Sequence, residues 1–138
     1  MKVHVLLMKV HVLLAAVLFL ALVPAAGASP QRGFAFGRLG GNIRPYTVSI
    51  ASNGGVRVSG SATAGRMKLS VAQLATLDRA VTDARFGTFP PMTNCPGTLP
   101  DIAATFIRFG AKTVRVHGNC VARYDKLFTA LSRAVKLS

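Results

Sequence analysis

The chain contains no glutamate and only four aspartates, against 17 lysine and arginine residues. The formal net charge is +13 at pH 7, and removing Lys2 and Lys9 with the N-terminal leader described below leaves +11. This balance predicts attraction to anionic partners, such as envelope polymers, nucleic acid, lipid head groups or an acidic protein. A basic surface that keeps the protein soluble, without a dedicated ligand, is the alternative.

The N-terminus carries the pattern of an export signal. The first fourteen residues repeat the heptamer MKVHVLL, so Met1 and Met8 could each serve as the start. An apolar run over residues 12–23 follows, and A-G-A ending at Ala28 is a cleavage signal. An uncleaved anchor is the alternative, but this run is shorter than the roughly 20 residues that span a bilayer. We expect a cleaved signal peptide over residues 1–28 and a secreted, periplasmic or cell-envelope protein without a membrane span.

Residues for catalysis are scarce. Beyond the first eleven residues the chain has one histidine, His117, and paired-carboxylate chemistry would need two of the four aspartates to converge. The patterns G-x-S-x-G and H-E-x-x-H and a glycine-rich phosphate loop are all absent from the sequence. The composition permits a Cys-His-Asp or a His-Asp-Ser catalytic arrangement, but only one histidine is available for either. We therefore expect a protein that is not an enzyme and holds no cofactor.

The two cysteines, Cys95 and Cys120, flank His117 as C-x21-H-x2-C. These are three ligands, whereas a structural zinc site is normally closed by four, and Asp101 or Asp125 would have to complete it. A short exported chain with two cysteines favours a disulfide instead. Such a bond closes a loop of about 25 residues and contributes roughly 3 kcal/mol on the chain-entropy model. We expect the disulfide and no metal.

The mature chain shows two cycles of strands followed by a helix. A glycine-rich and flexible arm is expected over residues 29–42. Alternating apolar and polar residues then predict strands over residues 46–50 and 56–59, joined by an Asn-Gly turn. The first helix begins at Ser70, whose spacing from Gln73 is that of a capping box.

The second cycle predicts strands over residues 102–109 and 113–117 and a helix over residues 122–136. The expected fold is a single α+β domain over residues 43–138. Its four-stranded, mostly antiparallel sheet is built from two ββα units, with two helices packed on one face. The residues expected to face the helices are Val48, Ile50, Val56, Val58, Val114 and Val116.

The other face of this predicted sheet collects basic and polar side chains. If the hairpins pair side by side, Arg57, Ser59, Thr113, Arg115 and His117 lie together there. Nucleic-acid binding would need aromatic side chains between the basic ones, and Phe106 and Phe109 are expected in or near the core. Both this pattern and the expected export argue against nucleic acid. An anionic envelope polymer is the remaining ligand class, with Arg57, Arg115 and His117 as the candidate anion-binding residues.

Four short stretches give the chain a resemblance to a known family. They are Leu39-Gly40-Gly41-Asn42, Leu69-Ser70-Val71-Ala72-Gln73-Leu74, Phe86-Gly87-Thr88-Phe89-Pro90 and Thr113-Val114-Arg115-Val116. Their order within residues 38–135 resembles the emfourin type of small bacterial proteins, which are inhibitors of thermolysin-like metallopeptidases, and exported relatives of similar layout. The resemblance implies a non-enzymatic protein whose loop at Leu39, Gly40, Gly41 and Asn42 enters a protease cleft. Glycines suit this role because they let the backbone approach closely, and an ordinary strand-entry turn is the alternative.

Two functions are consistent with these features. The first is an exported, monomeric, disulfide-stabilised binding module that inhibits a peptidase. The second is a basic envelope protein that binds an anionic polymer through its open sheet face. Salt separates them, because polyanion affinity falls steeply with ionic strength whereas cleft inhibition depends on the loop.

Overall fold

The computed structural model describes residues 32–138, so the signal peptide predicted over residues 1–28 lies outside the described residues. The fold is α+β, with two helices and an open mixed sheet of six strands. The strands are β1 (Phe34–Leu39), β2 (Tyr46–Ile50), β3 (Val56–Gly60), β4 (Met92–Asn94), β5 (Ala104–Phe109) and β6 (Lys112–His117). The helices are α1 (Val71–Asp83) and α2 (Ala122–Val135), and a 3-10 turn covers Phe86–Thr88.

The segment expected as a flexible arm contains a central strand of the sheet, so that expectation is wrong for residues 34–39. β1 pairs antiparallel with β2 on one side and with β5 on the other. Its sequence, FAFGRL, places Phe34 and Phe36 on the same side of the strand, and both are buried. The glycines of this segment favoured the prediction of a flexible arm, but burial of the alternating phenylalanines makes residues 34–39 a strand. The domain therefore includes β1 and does not begin at residue 43.

The sheet order is β3-β2-β1-β5-β6-β4, which differs from the predicted four-stranded arrangement. Both predicted hairpins form, β2 with β3 and β5 with β6. They are not neighbours, because β1 lies between β2 and β5, so two adjoining ββα units do not describe the sheet. The sheet is mixed, since β4 runs parallel to β6 at the edge.

Both helices begin and pack much as their sequence patterns predict. The capping box is present, with Ser70 Oγ accepting from the Gln73 backbone N at 3.2 Å and Ser70 N donating to Gln73 Oε1 at 2.9 Å. The buried helical residues are Leu74, Leu77 and Val81 of α1 and Tyr124, Leu127, Leu131 and Val135 of α2. Val71, at the start of the predicted apolar stripe, is 75% exposed and takes no part in it.

The helices cover one face of the sheet and leave the other open. The buried strand residues on the covered face are Phe34, Phe36, Val48, Ile50, Val56, Ile107, Val114 and Val116. These include five of the six residues predicted to face the helices, and Val58 packs against the same core while partly buried. Because side chains alternate along a strand, the residues between them form the opposite face.

Candidate functional site

Strand register defines the residues of the uncovered surface, which we call the open sheet face. Its first row contains Arg57, Ser49, Ala35, Arg108 and Thr113. The second contains Ser59, Thr47, Gly37, Phe106, Arg115 and Met92, and the third contains Leu39, Ala104, His117 and Asn94. The second row crosses the sheet from one edge to the other, whereas the first row ends at β6 and the third runs from β1 to β4.

The charge on the open sheet face has one sign. Arg57, Arg108 and Arg115 are exposed on it, and none of the six strands contains an aspartate or glutamate. The four aspartates lie elsewhere, at Asp78 and Asp83 in α1, Asp101 in a loop and Asp125 in α2. The strands therefore contribute no acidic side chain that would compensate the positive charge of this face.

The three arginines differ from other cations of the domain in their hydrogen bonding. Within residues 32–138 none of their side chains donates a hydrogen bond to the protein. Other cations are engaged, since Arg66 donates to the Ala134 carbonyl at 2.9 Å and Lys112 to the Gly87 carbonyl at 2.6 Å. The guanidinium groups of the open sheet face are thus available to a ligand, with five N–H donors each.

The candidate residues Arg57 and Arg115 share this face but do not lie together as expected. Four strand spacings separate β3 from β6, which places the two arginines on the order of 19 Å apart. The arginine near Arg115 is Arg108, its diagonal neighbour across the β5–β6 pair. Arg108 was not among the predicted anion-binding residues, although its alternation with the apolar Ile107 and Phe109 indicates that it faces solvent.

An aromatic ring lies among these cations, contrary to expectation. Phe106 is on the open sheet face, where its Cε1 comes 3.0 Å from the position of a β-carbon placed on Gly37. Phe109 is on the covered face, as expected, and packs against Phe34 with 4.9 Å between ring centroids. The predicted lack of aromatics on the face is therefore wrong for Phe106. Nucleic acid is then disfavoured by the expected export alone.

His117 is held by two hydrogen bonds at the end of β6. Its Nε2 lies 2.8 Å from the Ile102 carbonyl oxygen, and its own carbonyl accepts from Cys95 N at 2.8 Å. Because a carbonyl oxygen only accepts, Nε2 carries a proton and donates. His117 therefore fastens the turn that contains Ile102, and its Nε2 is not available to a metal.

The predicted disulfide is confirmed: Cys95 and Cys120 are bonded, with their Cα atoms 5.6 Å apart. The bond joins the residue after β4 to the segment that precedes α2. Since each sulfur is bonded to the other, the two cysteines and His117 do not form a catalytic or metal site. In residues 32–138 no three His, Cys, Asp or Glu side chains cluster closely enough to hold a metal ion. No helix in that range has the length and apolar character to cross a membrane.

The candidate inhibitory loop, residues 39–42, connects β1 to β2. Gly40 and Gly41 have φ angles of 69° and 70°, a region that favours glycine. A β-carbon on Gly41 would stand 2.6 Å from the Asp101 carbonyl oxygen, so the loop packs tightly there. Asn42 donates to Asp101 twice, from its backbone N to the carbonyl at 2.9 Å and from Nδ2 to Oδ2 at 3.0 Å. The loop is exposed, and these hydrogen bonds tie it to the segment that contains Asp101.

The structure brings together two sets of candidate residues that the sequence kept apart. A groove of about 280 Å³ is bordered by Leu39, Gly40 and Gly41 and also by Arg115 and His117. Arg57 lies towards the opposite edge of the sheet and does not line it. The groove is the end of the open sheet face, where the third row meets the loop.

A larger cleft of about 520 Å³ opens on the other side of this loop. Arg38, Asp101 and Asp125 all line it, so its charge is mixed. Burial raises the pKa of the Asp125 carboxyl, which lies in the first turn of α2. Two carboxylates oppose anion binding here, and the open sheet face is the better anion site.

Comparison with protein-family models, with curated proteins and with solved structures gives no match for this chain.

Proposed function

We propose that the protein is an exported, non-enzymatic binding module that holds an anionic polymer on its open sheet face. One observation carries the proposal: Arg57, Arg108 and Arg115 are exposed on strands without acidic residues and donate no hydrogen bond within residues 32–138. Guanidinium groups bind phosphate, sulfate and carboxylate in a bidentate manner, which suits a polymer of any of these anions.

The spacing of the arginines favours an extended ligand over a small one. A single exposed ion pair contributes little, so one small anion would bind weakly. A polymer that contacts the arginines on both halves of the sheet gains from their combined effect. Ala35 and Gly37 lie between those halves and have little or no side chain. Ala35 and Gly37 are buried and Phe106 lies over Gly37, so a ligand would cross the middle of the face over uncharged side chains.

The disulfide is compatible with this proposal, because such bonds persist in the oxidising compartments that an export signal would lead to. It also links the β4 edge of the sheet to the segment that precedes α2. The proposed ligand would then be an anionic polymer of the cell envelope or of the extracellular medium.

Salt-dependent binding to heparin and to polyphosphate tests the proposal. A triple variant, Arg57→Gln with Arg108→Gln and Arg115→Gln, should lose more than tenfold in affinity at low salt. The slope of log affinity against log salt concentration should become less negative by about three, which is about one for each contact removed. The matched control replaces three exposed arginines outside the sheet, Arg79→Gln, Arg85→Gln and Arg133→Gln, with the same change in net charge. Equal losses in both triples would show general charge attraction and refute a dedicated face.

A second candidate function, inhibition of a peptidase, is favoured by the hydrogen bonds that tie residues 39–42 to Asp101. Asn42 and Gly41 anchor the loop to Asp101, and a β-carbon on Gly40 would have no atom within 4 Å. A loop that is already ordered loses little conformational entropy on entering a cleft. This geometry suits the role that the emfourin resemblance implies.

Inhibition of thermolysin at high salt tests this second candidate. Gly40→Asn adds a side chain at the loop tip, and asparagine tolerates positive φ better than most residues. Inhibition should fall at least tenfold in this variant. Gly97→Asn is the control, because Gly97 also has positive φ (74°) and open space around it. Absence of inhibition by the unmodified chain at micromolar concentration would remove the candidate.

A further inference from the structure

The groove at the end of the open sheet face combines apolar walls with cationic groups. Met92 of β4 and Ile102 of the turn that precedes β5 line it and are 55% and 48% exposed. Arg115 and His117 line it from β6. The groove therefore places two exposed apolar side chains beside cationic ones.

The polar lining of the groove is suited to an anion. No aspartate or glutamate lines it, and the nearby Asp101 contributes to the cleft on the other side of the loop. His117 Nε2 is occupied by the Ile102 carbonyl, whereas the Arg115 side chain donates no hydrogen bond within residues 32–138. Arg115 is therefore the group of the groove that can bind an anion.

The size of the groove limits what accompanies that anion. Its volume of about 280 Å³ has room for about nine groups the size of a water molecule. A phosphate with a hydrocarbon of about four to six carbons fills such a space. Met92 and Ile102 offer the hydrocarbon apolar surface that is otherwise in contact with water, and covering it is favourable.

We propose that this groove is a subsite for an amphiphilic anion, with the anionic group at Arg115 and a short hydrocarbon segment against Met92 and Ile102. The proposal deepens the proposed function and rests on it, because it specifies the unit that the bound polymer places at this end of the face. That unit carries an apolar substituent or an apolar chain end next to its negative charge.

A series of monoalkyl phosphates, from methyl to octyl and below micelle-forming concentration, tests the subsite. Calorimetric titration of the full chain should show affinity rising about two- to fourfold for each added methylene. The rise should level off at about six carbons, where the alkyl chain leaves the groove. Inorganic phosphate alone should bind more weakly than every member of the series.

Matched variants locate the binding. Met92→Ser should flatten the dependence on chain length, whereas Met67→Ser should leave it intact, since Met67 is 58% exposed but lies outside the groove. Arg115→Gln should weaken every alkyl phosphate by a similar factor, about tenfold, without changing the dependence on chain length. Arg79→Gln, in α1 and outside the open sheet face, should change neither quantity.

The outcomes separate the subsite from the proposed function. An affinity independent of chain length, with heparin or polyphosphate binding retained, overturns the subsite alone. A rising series without polymer binding overturns the proposed function alone. If affinity still increases with chain length in Met92→Ser, the hydrocarbon does not lie where we assign it. The same holds if Met67→Ser flattens the dependence on chain length as much as Met92→Ser does.

Discussion

The two faces of the sheet are built from the same strands and differ in what their side chains do. On the covered face Phe36 is fully buried and meets Phe128 of α2 edge to face, with 5.6 Å between centroids. On the open sheet face Phe106 is only partly buried and lies over Gly37. Packing energy is therefore concentrated on one face, while Arg57, Arg108 and Arg115 are exposed on the other.

The largest effect on stability is expected on the covered face. Phe36→Ala removes a fully buried ring from beneath α2 and should lower the free energy of unfolding by about 3–5 kcal/mol. Phe106→Ala, on the open sheet face, should cost less than half as much, because that ring is already partly in water. Urea unfolding followed by circular dichroism measures both values. Equal losses would contradict the division between the two faces.

The disulfide links the edge of the sheet to the covering helix layer, and its removal should have the next largest effect. Replacing Cys95 and Cys120 together by alanine should lower the free energy of unfolding by about 3 kcal/mol. Reduction of the unmodified chain should give a loss of similar size. Thermal unfolding with and without reductant provides the measurement. A double variant as stable as the oxidised protein would show that packing alone holds the β4 edge.

Tyr124 makes the covered face sensitive to alkaline pH. Burial raises the pKa of Tyr124 to about 12, the nearby Thr105 hydroxyl lowers it in part, and Asp125 raises it. Because the pKa in the folded state lies above the ordinary tyrosine value of 10.0, this contribution to stability is complete below pH 10. It is lost as the pH rises towards 12, by about 2–3 kcal/mol in total.

The Tyr124→Phe variant isolates this titration. The Tyr124 hydroxyl is buried and has no hydrogen-bond partner within residues 32–138, so its removal should cost little at pH 7. The difference in unfolding free energy between the unmodified chain and Tyr124→Phe should then shift in favour of the variant between pH 10 and 12. A difference that stays constant over this interval would show that Tyr124 does not titrate as its burial requires.

The smallest effect on stability is expected for the arginines of the open sheet face. Arg57→Gln, Arg108→Gln and Arg115→Gln should each change the free energy of unfolding by no more than about 0.5 kcal/mol, since these side chains are exposed and donate no hydrogen bond within residues 32–138. The same variants should weaken binding to heparin. A loss of several kcal/mol in unfolding free energy would assign these arginines a structural role and remove the contrast between the faces.

Local sequence patterns predicted much of the fold. The capping box at Ser70 located the start of α1, and period-two alternation located β2, β3 and β6. The pairing of Cys95 with Cys120 also followed from the expected compartment and the cysteine count. Each of these features depends on residues a few positions apart or on composition, which a single sequence displays directly.

Two strands were missed for different physical reasons. β1 was interpreted as an arm because glycines surround it, although Phe34 and Phe36 have the spacing of a buried strand. β4 has only three residues, Met92–Asn94, and its parallel pairing with β6 depends on where the chain arrives after α1. No local pattern specifies that arrival point.

The sequence by itself determined the elements that local periodicity and capping encode, the positive charge and the two cysteines. Only the tertiary structure decided which strands are neighbours, because β1 and β5 meet from distant parts of the chain through pairing and core packing. That order separates Arg57 from Arg115 and brings residues 39–41 to Arg115 and His117. The candidate site therefore depends on long-range pairing, and the free energy that selects it comes from the core on the opposite face.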